Sequence, residues 1–223
     1  MDFRTFKDRF SDAPIILSND VFQRLEQNEK NPLGHQALLN QLNRWQRRGL
    51  LMRLRKGVYL LNKSDRRIEP SDTYLANQLY APSYVSLEYA LSFYGFIPER
   101  VYVVTSVTTK KTLHFSNSIG HFSYRHVIPS AFKGFKIIKD HNGLNVFMAE
   151  PEKAVVDFLY FTFGRDPKAK EESPDFFSES YRFEDVGTLK EKRILELASY
   201  YDNPKLTAMA KLFCKFRREY MRQ

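Results

Sequence analysis

Four polar side chains recur at helical spacing early in the chain: Gln36, Asn40, Arg44 and Arg47. A carboxamide carries a donor and an acceptor side by side, which matches the exposed edge of adenine. A guanidinium matches guanine or a phosphate. Arg48 extends the group, and Arg53, Arg55 and Lys56 cluster just before Gly57. Cations at a glycine-containing turn can approach a phosphate backbone closely. Between His35 and Arg67 the bases also include Lys63, Arg66 and Arg67, while the only acid is Asp65. A solvated surface ordinarily mixes signs, so this one-signed stretch points to a polyanionic partner.

The elements that must position these side chains can be read from periodicity. Leu38, Leu39, Leu42 and Trp45 form one apolar stripe of a helix beginning near His35, and Gln36, Asn40, Arg44 and Arg47 fall opposite. Gly49 supplies a left-handed stop. Leu50, Met52 and Leu54 then alternate with Leu51, Arg53 and Arg55, which is strand periodicity; Arg55-Lys56-Gly57 turns, and Val58–Leu61 returns. Upstream, Phe3, Phe6 and Phe10 predict a helix over 2–11. Ile15-Ile16-Leu17 predicts a short strand against the ribbon, Ser18 an N-cap for a helix over 19–28, and 28–32 a polar turn. Helix, strand, helix, turn, helix and ribbon is the order of a winged helix-turn-helix. In that fold the last helix enters the major groove and the ribbon lies along the phosphates.

Other chemistries fit poorly. Glu150-Pro151-Glu152-Lys153 suggests a nuclease, but nothing in the chain spells the E-x-K element that would set carboxylates on a metal and lysine on a phosphate. The two glutamates read more simply as carboxylates favoured at a helix start. His35, His114, His121, His126 and His141 have no helical i, i+4 partner among themselves, and the single cysteine, Cys214, supports no metal cluster or internal disulfide. There is no phosphate-binding GxxxxGK[ST] loop, no G-x-S-x-G elbow and no Gly-Ser pair followed by D-x-D. The sequence therefore predicts no catalytic residues, no metal and no cofactor. Lys153 and Asp157 stand four apart on one helix, the spacing of a solvated ion pair worth a few tenths of a kcal/mol, roughly.

Formal net charge is +9 over 223 residues, with 43% hydrophobic and 15% aromatic residues, the make-up of a folded basic protein. Residues 1–67 hold 14 bases and 7 acids, whereas 150–223 hold 14 of each. The excess sits in the N-terminal third. Neither a signal peptide nor a membrane span is visible, and the expected location is the cytoplasm of a prokaryotic cell. The basic final helix (Lys211, Lys215, Arg217, Arg218, Arg222) reads as a solvated end.

After a polar linker at 63–70, a second domain at 71–223 is expected to fold on its own. Helices are predicted at 72–80, from Ser86 as cap to Gly95, from Pro151, and at 188–201 and 204–221. Strands are predicted at Tyr84-Val85, 101–107 (central), 112–116, 121–127, 135–139 and 144–149, and a loop at 164–178. The fold class is therefore α+β: a winged helix at 1–62 followed by a mixed α/β domain with a small sheet and C-terminal helices.

Four stretches in order carry a resemblance to the AbiEi-type antitoxins. They are the basic ribbon ending Arg55-Lys56-Gly57-Val58-Tyr59, Ser83–Gly95 (SYVSLEYALSFYG), Glu99–Thr105 (ERVYVVT) and Ala149–Leu159 (AEPEKAVVDFL). The resemblance covers almost the whole chain. It implies an N-terminal domain that binds double-stranded DNA at its own promoter, at inverted repeats, and represses its operon. It also implies a C-terminal domain that counters a co-encoded nucleotidyltransferase-like toxin without a stable complex, with Lys153 and Asp157 at motif positions. The alternatives are a DNA-processing enzyme or subunit docked by the winged helix, and a transcriptional regulator with no toxin.

Overall fold

A computed structural model of the chain describes residues 1–26, 34–164 and 174–222. The N-terminal segment comprises α1 (Phe3–Phe10), β1 (Ile16–Leu17), α2 (Ser18–Glu26), α3 (His35–Arg47), β2 (Leu51–Arg55) and β3 (Val58–Leu61). Asp2 starts α1 by accepting from the Thr5 amide at 2.8 Å. The phenylalanine stripe of α1 then meets the apolar stripe of α3: Trp45 lies 4.7 Å from Phe6 and 5.5 Å from Phe3, centroid to centroid. Leu38, Leu42, Ile16, Val21, Leu51, Tyr59 and Leu61 complete this small core. β1 pairs with β3 through Ile16–Tyr59 and Leu17–Val58, as the apolar triplet before Ser18 predicted. The predicted turn at 28–32 and the end of the helix at 19–28 lie outside the described residues.

The remaining elements are α4 (Asp72–Leu79), β4 (Ser83–Val85), α5 (Leu87–Phe93), β5 (Val103–Thr108), β6 (Leu113–Ser116), β7 (His121–His126), β8 (Phe135–Lys139), β9 (Asn145–Ala149), α6 (Pro151–Leu159), α7 (Phe176–Glu179), α8 (Glu191–Ser199) and α9 (Pro204–Tyr220). The fold is mixed α+β. Six strands form one sheet in the order β6-β7-β5-β4-β9-β8, with β4–β9 and β5–β7 parallel. β5 is an inner strand, but it begins at Val103 and leaves Tyr102 exposed. Of the predicted 164–178 loop, 165–173 lie outside the described residues and Phe176–Glu179 is a helical turn. Among the described residues no helix is long and apolar enough to cross a membrane.

One face of this sheet is covered by α5 and α6, and α8 and α9 pack against α6. The other is covered by α4 together with the β2–β3 ribbon: Leu54, Val58 and Leu60 share a buried cluster with Leu75, Leu79, Val85, Val104, Phe122 and Met148. The two expected units therefore share a buried apolar cluster. The linker separates the units along the chain and not in packing, because the ribbon is apolar on both faces. The linker is itself tied down, with the Arg67 amide donating to Ser11 O at 2.8 Å and Arg66 to Leu61 O at 3.0 Å.

Candidate nucleic-acid interface

The chain leaves α3 through a left-handed glycine, as the sequence predicts. Gly49 has φ +70°, its amide donates to Gln46 O at 3.0 Å, and the Leu50 amide donates back to Trp45 O at 3.0 Å. These two bonds fix the angle at which β2 departs, and hence where the ribbon stands relative to the helix. With Leu38, Leu42 and Trp45 buried, the periodicity of α3 leaves Gln36, Asn40, Arg44, Arg47 and the following Arg48 exposed. Gln36 Nε2 donates to Asn40 Oδ1 at 3.2 Å, so the two carboxamides are held together and retain further donors and acceptors.

A cleft of about 630 Å³ lies between α3, the start of α2 and the β2–β3 turn. Gln36, Leu39 and Asn43 line it from the helix, Arg53, Lys56 and Gly57 from the ribbon, and Ser18, Asn19 and Asp20 from α2. Arg53 and Lys56 are exposed and stand across this cleft from Gln36 and Asn43. The sequence reading missed Asn43. Its signal was available, since Gln36, Asn40 and Asn43 follow i, i+4, i+7, the same stripe rule that placed Leu38, Leu42 and Trp45. Asn19 and Asp20 carried no comparable signal, because only the fold brings the start of α2 to the ribbon.

Arg55 goes elsewhere. The strand pairing slips between Arg53 and Arg55: Arg53 faces Tyr59 while Arg55 faces Val58, leaving Leu54 as the extra residue of a bulge. Strict alternation would have put Arg55 on the face of Arg53. The bulge turns it instead onto the sheet unit, where Nη1 donates to Leu79 O at 2.6 Å and the guanidinium covers Tyr80 (4.8 Å to the centroid) and Phe115 (5.7 Å). Asn117 Nδ2 adds a bond to Leu54 O at 3.2 Å. Arg55 is thus a strap between ribbon and sheet. The Arg55 side chain, expected at phosphate, is engaged with the sheet unit instead, while Arg53 and Lys56 remain exposed.

Pairing distinguishes this surface from the linker and the final helix. Among the described residues Arg44, Arg47, Arg48, Arg53 and Lys56 face no carboxylate within ion-pair distance. By contrast Arg67 meets Asp12 (3.1 Å), Lys7 meets Asp65 (3.4 Å), Arg66 meets Glu69, and Arg182 meets Glu99 (3.0 Å). On α9, Arg217 and Arg218 both hold Glu191, at 3.3 and 3.0 Å. The final helix therefore spends much of its charge on internal contacts. Exposed pairs of this kind stabilise little, but they neutralise the surface they occupy.

Lys153 and Asp157 form a second constellation, far from solvent. Both are fully buried, and Lys153 Nζ lies 2.7 Å from Asp157 Oδ1. The ammonium also donates to Ala131 O (2.9 Å) and to Tyr201 Oη (2.8 Å). Asp157 Oδ2 accepts from Tyr84 Oη (3.0 Å) and Ser86 Oγ (2.6 Å), and Tyr201 donates to Oδ1. The helical spacing predicted a solvated pair, and the structure corrects that reading. Ser86 begins α5 as predicted, yet its hydroxyl is spent on Asp157 and makes no capping bond. Burial pushes the Lys153 ammonium below its ordinary pKa, opposed by the Asp157 charge, and pushes the Tyr84 and Tyr201 phenols well above theirs. A group this enclosed cannot touch a partner. It ties β4, α5, α6 and the α8–α9 connection into one unit.

The neighbouring carboxylates are engaged in the same way. Glu150 takes both nitrogens of the Arg193 fork (2.9 and 3.0 Å), and Glu152 accepts from the Lys190 amide ahead of α8 (3.0 Å). The structure thus brings Gln36, Arg53 and Lys56 to one cleft, sets Asn40, Arg44, Arg47 and Arg48 on the exposed surface of α3 and the turn after it, and removes Arg55 to the sheet. No protein-family model matches the chain and no curated protein matches it, so the reading of this surface stands on its residues and their geometry.

Proposed function

We propose that residues 1–62 form a winged helix-turn-helix that binds double-stranded DNA, with α3 in the major groove and the β2–β3 ribbon against the phosphates. One observation carries this reading. Arg44, Arg47, Arg48, Arg53 and Lys56 stand exposed on one helix and the adjoining ribbon without a carboxylate partner among the described residues, whereas Arg67, Arg182, Arg217 and Arg218 are each paired. Neutralising phosphates releases counterions and supplies affinity, and the carboxamides of Gln36, Asn40 and Asn43 are suited to reading base edges. The chain acts in this reading as a non-enzymatic autorepressor at its own promoter. The resemblance of its four motifs to AbiEi-type antitoxins extends the role to countering a co-encoded nucleotidyltransferase-like toxin in the cytoplasm.

The test is fluorescence anisotropy at fixed salt with two duplexes, the region upstream of the gene and a shuffled sequence of equal composition. The proposal expects the upstream duplex to bind about a thousandfold or more tightly. Equal affinity would refute sequence-specific repression, and cleavage of plasmid in magnesium would refute the non-enzymatic reading. Growth rescue on co-expression with the adjacent frame's product tests the antitoxin role. Arrest despite folded protein would remove it.

A further inference from the structure

Beside the β8–β9 hairpin a cavity of about 390 Å³ opens between the end of α4 and the sheet, lined chiefly by Gln78, Ser83, Phe132, Phe135 and Phe147. Its volume and lining are those of a small-molecule site: aromatic walls with a few polar groups. The rings are not closed on one another. Phe135 stacks one face on Tyr84 (4.7 Å, 15°), so only its other face can serve the cavity, while Phe132 meets Phe135 at 5.2 Å and 58° and Phe147 meets it at 6.1 Å and 81°. Phe147 remains 37% exposed.

The wall is rigid. Asn77 Nδ2 donates to Ser83 O (3.3 Å) and Phe147 O (3.2 Å), and its Oδ1 accepts from the Phe147 amide (2.7 Å). That side chain therefore braces the cavity and has little left for a ligand. Two polar groups are not so occupied. Ser83 is buried with a hydroxyl that has no hydrogen-bond partner among the described residues, and the half-buried Gln78 carboxamide has none either. No charged residue lines the space. A charged ligand would lose its hydration there without compensation, whereas a neutral one would not.

We propose that this cavity binds a small, neutral, planar heteroaromatic molecule, stacked against Phe135 and Phe147 and hydrogen-bonded by Gln78. The site does not depend on what the N-terminal unit binds.

The experiment is isothermal titration of the full chain, without DNA, using indole, adenine and, as a non-planar control, cyclohexanol. At least one planar probe should saturate at one per chain, and cyclohexanol should not. Phe147→Ala, at a partly exposed position, should weaken binding by about tenfold or more, since one ring wall is lost. Gln78→Trp should abolish binding by filling the cavity, and it decides the matter if Phe147→Ala fails to fold. Saturation by neither planar probe, equal saturation by cyclohexanol, or unchanged binding in folded Gln78→Trp would each overturn the proposal.

Discussion

Replacing Asp157 by Asn removes one negative charge from the centre of the protein and leaves nearly the same shape. Lys153 would then keep its bonds to Ala131 O and Tyr201 Oη and lose its ion-pair partner, at 2.7 Å. Breaking a fully buried pair by deleting one partner costs about 3–5 kcal/mol, because the remaining charge is stranded. The hydroxyls of Tyr84 and Ser86 would also donate to a weaker acceptor, or lose theirs where the amide nitrogen takes the place of Oδ2, adding roughly 1 kcal/mol. A loss of about 4–6 kcal/mol is a large share of the 5–15 kcal/mol, roughly, that a folded domain has. Lys153→Met combined with Asp157→Leu buries no charge, so its cost comes from the Tyr84, Ser86 and Tyr201 hydroxyls that lose their acceptor, about 1–3 kcal/mol for each one left unpaired. Urea unfolding at neutral pH, read by circular dichroism with the slope checked for constancy, measures both values.

The pH dependence of Asp157→Asn gives an independent sign. Burial already holds the Lys153 pKa below 10.5, and Asp157 is what opposes that fall. In the variant the unfolded lysine therefore binds a proton that the folded one lacks, between the lowered folded pKa and 10.5. Stability must rise with pH across that window. The scan has to end near pH 10: Tyr84 and Tyr201 are held protonated in the fold, so stability falls once unfolded tyrosine ionises above its ordinary value of 10.0. A cost below about 1 kcal/mol, or stability flat with pH, would refute the buried-pair account.

Three other expectations concern the surface and the packing of the two units. Asn40→Ala should cost about 1–3 kcal/mol on the upstream duplex and little on shuffled DNA in an anisotropy titration; equal loss on both would move Asn40 to the phosphate class. Arg55→Ala should lower unfolding stability by about 2 kcal/mol through the lost Leu79 bond and Tyr80 contact, yet leave the salt dependence of DNA binding unchanged, and a flattened slope would mean that Arg55 reaches phosphate. A fragment of residues 70–223 should expose the sheet face that Leu54, Val58 and Leu60 cover and so aggregate or bind a hydrophobic dye, whereas a monomeric fragment with a sharp unfolding transition would restore the independent-domain picture.

Much of the fold was legible because its signals are local. Leu38, Leu42 and Trp45 at helical spacing and the alternation before Gly57 each fix an element within a few residues, and the polar stripe of α3 followed from the apolar one. What could not be read depends on distant partners or on one irregular residue. Nothing in the run Leu51–Arg55 announces the bulge that redirects Arg55. Nothing near Asp157 announces Tyr84, 73 residues before it, or Tyr201, 44 residues after it. The i, i+4 spacing of Lys153 and Asp157 was visible, but spacing says nothing of burial, and burial changes the worth of that pair about tenfold. The shared packing of the two units was hidden for the same reason, since alternation in the ribbon does not say that Leu54, Val58 and Leu60 face the six-stranded sheet.

The central claim is that the unpaired cations of α3 and the ribbon hold DNA phosphates. Its most direct measurement is the slope of log K against log[salt] for the full chain, beside a variant with Arg44, Arg47, Arg53 and Lys56 replaced by Ala. The account predicts a steep parental slope that flattens in the variant by about 0.9 for each phosphate contact removed, on upstream and shuffled duplexes alike. A variant that folds as the parent does and keeps the parental slope would contradict it.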